Sequence, residues 1–316
     1  YLYVAIRRPD GYVGKPVELG TDVFAMDTGA GSTTIPNFDS GFPVDFTFMR
    51  NPASNFSWYT YSRLTQKKEL VLNSTASEGG ASSYTFDSNV GWGKGGDSSS
   101  VQSWMWRRHA GCDVVTYNGT GSAQNIYHSL NQIPEMMWVK ARSTTRSWTV
   151  YHKDMHQGYG SGNNYNFYMY INEPDARVAG DNQRWNSTAP TSQQFTVGTS
   201  DDTNKNNNTF IAILFASVDG ISKVGYYTGN GSTTGPTVTT GFQPRLIIAK
   251  AASRTGGWLI YDSLRGFGTD KLLLDSSAAQ SNSSDTFDVS STGFSIVDDS
   301  PVVNGSSESY IYYAHA

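Results

Sequence analysis

One phrase occurs three times in this chain: "WYTYSRL" from Trp58, "WTVYHKD" from Trp148 and "WLIYDSLRG" from Trp258. An internal repeat constrains architecture more than any single motif, because each copy has to be one structural unit. A second landmark keeps step with the first. An apolar run is led by a proline in "FPVDFTFMR" (Pro43), "IPEMMWVKARS" (Pro134) and "FQPRLIIAKAAS" (Pro244), and the tryptophan follows 58 − 43 = 15, 148 − 134 = 14 and 258 − 244 = 14 residues later. Trp58, Trp148, Trp258, Pro43, Pro134 and Pro244 are therefore read as a repeated structural core, with the Pro-led strand central in its sheet and the tryptophans filling a sandwich.

Further landmarks agree. Each unit opens on a Gly-rich hairpin signal: "DVFAMDTGAGST", "DVVTYNGTGSA" and "KVGYYTGNGSTT". A Ser/Thr-rich turn follows, "LNSTAS" at Leu72, "WNSTAPTS" at Trp185 and "LDSSAAQS" at Leu274, and each unit closes on an apolar strand from Ser103, Thr209 or Ser309. The reading divides the chain into repeats at 21–111, 112–222 and 223–316. Residues 1–20 are read as the closing strand of a preceding repeat plus a linker. Tyr1 is no initiator, and the expectation is that the chain is an excised or processed fragment.

The segments are short, rich in branched and aromatic residues, and bounded by Gly, Pro, Ser or Asn, and no window carries a capped helical stripe. With 13% aromatic but only 16% charged residues, the composition also favours strands and turns over helices. The expected fold is all-β: three tandem antiparallel β-sandwich modules of jelly-roll or concanavalin-like type.

A formal charge of −4 offers no basic surface for phosphates, so nucleic acid is not an expected partner. "FIAILFASV" is about half the length a spanning helix needs, so membrane insertion is not expected either. The single cysteine, Cys112, cannot form an intramolecular disulfide and is read as a small buried hydrophobe.

In "YLYVAIRRPDG", "YTGNGS", "GFQPRLIIAK", "WLIYDSLRG" and "YIYYA", the chain resembles the repeated concanavalin-like β-sandwich domain of unknown function found in virion proteins of marine tailed phages, notably those infecting cyanobacteria and other oceanic bacteria. The likeness is strongest over 223–316, good over 113–222 and weaker over 21–111, where "MDTGAG" replaces "YTGNG". The resemblance implies a structural or adhesive virion component such as a tail fibre, and brings no catalytic residues with it.

Residue chemistry is consistent with that implication. Asp262 and Arg265 could pair a carboxylate with an activating cation, but the other copies place Tyr61 and Arg63, or Tyr151, His152 and Asp154, in the same phrase. The ring is repeated and the acid is not, which favours a packed corner carrying a local ion pair worth roughly 0.5 kcal/mol. His152 and His156 have metal-like spacing only on a helix, and are read as surface histidines. Asp201 and Asp202, with Asn204, are weak candidates for calcium oxygen ligands; no other cofactor is expected.

Trp92, Trp138 and Trp185 lack an aromatic counterpart in the aligned copies, which makes them candidate glycan or subunit contacts. Tyr1, Leu2, Tyr3, Val4, Ala5 and Ile6 form a surplus strand suited to addition onto a neighbouring subunit's sheet. The expected function is non-enzymatic: a virion structural or adhesion protein located on the particle or outside the cell. Its expected partners are copies of itself, other virion proteins and host surface polysaccharide. The alternatives are a subunit of a self-assembling extracellular filament and a carbohydrate-binding surface protein.

Overall fold

The computed structural model describes residues 17, 19–80, 83–108, 110–160, 164–267, 270–282 and 286–316. The surplus strand Tyr1–Ile6 lies outside the described residues.

Three strands carry the plan of the molecule: Phe46–Arg50, Met136–Ala141 and Leu246–Ala251, each buried at every position. A strand covered on one face alternates apolar and polar residues; these do not, because both faces are covered. Each is the third strand of an antiparallel sheet with a recurring order: opening strand, closing strand, central strand, corner strand, outer strand. The opening strands are Phe24–Thr28, Cys112–Asn118 and Ser222–Thr228, and the closing strands Gln102–Trp106, Thr209–Phe215 and Ser309–His315. The corner strands Tyr59–Ser62, Thr149–His152 and Leu259–Asp262 follow the repeated tryptophans. Outer strands are Leu70–Val71, Met169–Tyr170 and Asp270–Leu273, the last extended by Ser281–Asn282.

One face of each large sheet packs under a small sheet. Phe38–Asp39 pairs with Gly91–Trp92, Gln124–Tyr127 with Gln194–Val197, and Gly293–Ile296 with both Thr237–Thr239 and Phe287–Ser290. These make three separate sandwich interiors. The opposite faces meet in a fourth cluster drawn from all three units, including Phe48, Trp58, Trp138, Trp148, Ile248 and Trp258. The repeated tryptophans therefore do not fill the sandwiches. They lie in a shared centre, and the units close on one another instead of hanging from the chain as independent beads.

Register corrects three readings of the sequence. Asp45, Glu135 and Arg245 each donate their N–H to the last residue of their closing strand, Trp106, Phe215 and His315. The counterpart of Pro134 and Pro244 is thus Val44, fully buried, while Pro43 is only half-buried. The spacing to the tryptophan is then 58 − 44 = 14 in all three units. Second, the turn matching Leu72 and Leu274 begins at Ile171, not at Trp185. Leu72, Ile171 and Leu274 donate to the carbonyls of Trp58, Trp148 and Trp258, while Asn73, Asn172 and Asp275 accept the tryptophan N–H groups. Third, the Gly-rich loops are not hairpins; they carry the chain from the large sheet to the small one. At Gly119 a Cβ would lie 2.1 Å from the Lys205 carbonyl oxygen, and Gly121 has φ +73°, so both positions of the motif need glycine.

Candidate functional site

The corner strand ends on Ser62, His152 or Asp262, three different residues at one register position opposite Phe46, Met136 and Leu246. Asp262 is fully buried. Its Oδ1 accepts from Gln102 Nε2 (3.2 Å) and from the Leu264 and Arg265 N–H groups; its Oδ2 accepts from Trp104 Nε1 (3.1 Å) and Arg265 Nε (2.7 Å). Gln102 and Trp104 belong to the first unit, so this carboxylate joins unit three to unit one. The Asp262–Arg265 pair is 0% and 6% exposed, which overturns the estimate for a surface ion pair: removing one partner of a buried pair leaves an uncompensated charge.

His152 does the corresponding work between units two and three. Its Nδ1 accepts from the Asp154 N–H, so Nε2 carries the proton and donates to the Tyr312 carbonyl at 3.3 Å. Burial pushes its pKa down to about 3. It is a fully buried residue, not the surface histidine expected from sequence.

At the far end of each central strand stands a buried cation: Arg50, Lys140 or Lys250. Each is held by backbone carbonyls of the preceding unit in the cycle. Arg50 donates to Ser276, Ser277 and Ala278; Lys140 to Thr75, besides its own unit's Ala141 and Arg146; and Lys250 to Pro174. Burial lowers both lysines to about 8, so they stay charged at neutral pH. The tryptophans close the same cycle: Trp58 Nε1 donates to Leu273 O (2.8 Å), Trp148 Nε1 to Val71 O (3.0 Å) and Trp258 Nε1 to Tyr170 O (2.9 Å).

The three unit-specific tryptophans are not surface contacts. Trp92, Trp138 and Trp185 are 0%, 0% and 1% exposed, so no ring face is open to a sugar or a subunit. Two of them also have aromatic counterparts once register replaces sequence alignment. Trp92, Phe195 and Phe294 pair with Phe38, Ile126 and Val238 in the three small sheets, and Trp138 matches Phe48. Trp185 donates to Phe167 O and packs edge-on against Tyr151.

Asp201 and Asp202 open the one-turn helix Asp201–Asn204 and face cations of the chain: Arg146 meets Asp201 at 2.5 Å, and Arg184 meets Asp202 at 2.7 Å. Among the described residues no group of three or more His, Cys, Asp or Glu is placed to hold a metal ion. Cys112 is buried, as expected of a small hydrophobe.

What sequence reasoning missed is a cleft of about 290 Å³ where unit one passes into unit two. Arg108, Asp113, Ser129, Asn131 and Gln132 form its polar wall, and Cys112 and Leu130 part of its apolar floor. Asp113 Oδ1 accepts from Arg108 Nε (2.8 Å) and from the Val114 N–H, and Oδ2 accepts from the N–H and hydroxyl of Ser129.

A model described as a domain of unknown function, DUF7483, matches residues 25–316. The chain belongs to the DUF7483 family. No curated protein matches it. The DUF7483 match starts in the first opening strand and runs through all three large sheets, the span over which the units interlock.

Proposed function

We propose that this DUF7483 chain is a non-enzymatic structural and adhesive protein of a virion appendage, working outside the cell in company with copies of itself and other virion proteins. The observation that carries the reading is the use made of its reactive-looking side chains. Asp262, His152, Arg50, Lys140 and Lys250 are buried and hydrogen-bonded across unit boundaries, where they hold three sheets together. A protein built to keep its shape without disulfides needs such clamps. The phage-like phrases in its sequence supply the setting, and adhesion to host surface glycans is the activity that setting suggests.

Immunogold labelling tests the assignment. Antibodies raised against the folded chain should decorate an appendage of intact particles, and mass spectrometry of purified particles should recover its peptides. Particles that lack the chain, or glycan hydrolysis by the purified protein, would overturn it.

A further inference from the structure

Internal repetition offers a comparison within one molecule: a side chain that all three units share serves the common fold, and one that departs from the pattern serves something particular to its unit, whether a clamp such as Asp262 or His152 or a further role. In structural register, one group of departures lies together at the surface. Asp113 stands where the other opening strands have Ala25 and Lys223, as the pairing partners Leu214, Met105 and Ala314 show. Ser129 stands where the other units have Gly41 and Gly241. His128, Ser40 and Thr240 mark the preceding position, each accepting from the N–H two residues on. Between Leu130 and Pro134 unit two carries the extra residues Asn131 and Gln132, compared with Phe242 to Pro244 in unit three. Arg108 matches Ser217, since both donate their N–H to the acid that begins the central strand, Asp45 or Glu135. All five departures line the same cleft.

We propose that this cleft is a binding site for a neutral sugar, holding one hexopyranose ring of a glycan. Its volume suits one ring, and binding sites of this kind set a few placed polar groups against an apolar floor. Its chemistry also argues against an acidic ligand. The Arg108 charge is already matched by Asp113, whose side chain is 2% exposed, so a uronate or sulfate would meet a neutralised cation beside a fixed carboxylate. Hydroxyl groups fit better: the Asn131 and Gln132 amides both donate and accept, and among the described residues the guanidinium keeps Nη1–H donors beyond those given to Asp113 and Ser129. The site deepens the adhesive reading above and rests on it for its biological meaning, but not for its test.

Saturation-transfer NMR with the methyl glycosides of glucose, galactose, mannose and N-acetylglucosamine, each at millimolar concentration, should show transfer to at least one. Two sets of substitutions test the cleft, taking the sister units' residues at Ser129, Arg108 and Asp113 and small residues at the two inserted positions. Ser129→Gly with Asn131→Gly and Gln132→Ala removes the polar rim; glycine is compatible with the left-handed φ of +57° at Asn131. Arg108→Ser with Asp113→Ala removes both members of the ion pair at once and strands no buried charge. Each set should weaken binding at least about fivefold; the thermal midpoint should stay in place for the first set and fall for the second, in which the Val114 and Ser129 N–H groups lose their acceptor. If no glycoside receives transfer, if both folded variants bind as the parent does, or if only glucuronate or a sulfated sugar binds, the proposal is wrong. A cleft that fails this test leaves particle labelling untouched, and an unlabelled particle leaves the sugar titration untouched.

Discussion

The shared centre and the three sandwich interiors are all aromatic-rich and buried, yet they are held by different means. Each sandwich interior is closed by rings from its own unit, as where Tyr61, Tyr84 and Phe86 surround Trp92, or Tyr261 and Tyr312 meet Phe287 and Phe294. The centre is closed by polar clamps between units: a carboxylate, an imidazole, three cations and three indole N–H groups. Hydrophobic burial is non-directional and would tolerate many relative placements of three greasy faces. A buried hydrogen bond is satisfied in only one, and its loss costs the desolvation of whatever stays buried. The contrast teaches that packing builds each unit while the clamps fix how the units meet.

The sharpest way to break that contrast is to remove the most heavily used clamp. Asp262→Ala leaves Arg265 buried without its counter-charge and frees the Trp104 and Gln102 donors, so the expected loss is about 3–5 kcal/mol. Because the clamp joins units three and one, hydrogen exchange should rise in Gln102–Trp106 as well as in Leu259–Asp262. Faster exchange confined to the third unit would show that the centre does not couple the units.

A matched pair of tryptophans sharpens the same point. Trp148→Phe and Trp185→Phe delete the same indole N–H bond to a backbone carbonyl, half-buried Val71 O and buried Phe167 O respectively, and each should cost about 1–3 kcal/mol. Only the first bond crosses a unit boundary. Exchange in Leu70–Val71 should therefore respond to Trp148→Phe and not to Trp185→Phe.

Much of the plan was legible in the sequence, and the part that was not has a physical reason. Tryptophan spacing marks three equivalent corners because the ring has the same neighbours in each unit. It does not say on which side of the sheet the ring lies, since a tryptophan on either face of a buried strand leaves the same trace. The unbroken apolar runs "FTFMR", "MMWVKA" and "LIIAKA" did carry that information: a sandwich open to water on its outer face would alternate. Arg50, Lys140 and Lys250 closing those runs were a further sign, three cations at one register position. The cleft was hidden for another reason. Asp113, Ser129 and Gln132 are unremarkable in a line of text, and become a group only when register shows what the other units hold in their places.

Acid should loosen the centre specifically. His152 is pushed down to about 3 from an ordinary 6.5, and His315, buried against Phe24 and Tyr313, is also pushed to about 3. A base with a depressed native pKa binds fewer protons folded than unfolded, so its contribution is complete above pH 6.5 and is lost as pH falls from 6.5 toward 3. At about pH 5.5 each histidine should lower stability by about 1.4 kcal/mol, readable as a falling thermal midpoint. His152→Gln keeps an acceptor and a donor without the titration, and should flatten the curve by one histidine's share. A midpoint independent of pH over this range would mean that neither ring is held neutral.

The smallest expected effect is the most discriminating. Trp138 lies in the shared centre among Phe46, Phe48 and Phe215, with ring centroids 6.4, 6.5 and 5.1 Å away, and its Nε1 is buried without a hydrogen-bond partner among the described residues. Its register partners are Phe48 and Ile248, neither of which has an N–H to satisfy. Trp138→Phe gives up some packed area, which destabilises, and removes an orphaned buried donor, which stabilises; the net change should stay within about 1 kcal/mol. Trp148→Phe is the same chemical change in the same cluster, yet it breaks a clamp. A clear excess of the Trp148 effect over the Trp138 effect in denaturant midpoints would assign the difference to the inter-unit hydrogen bond. Equal losses would mean that ring volume alone holds the centre.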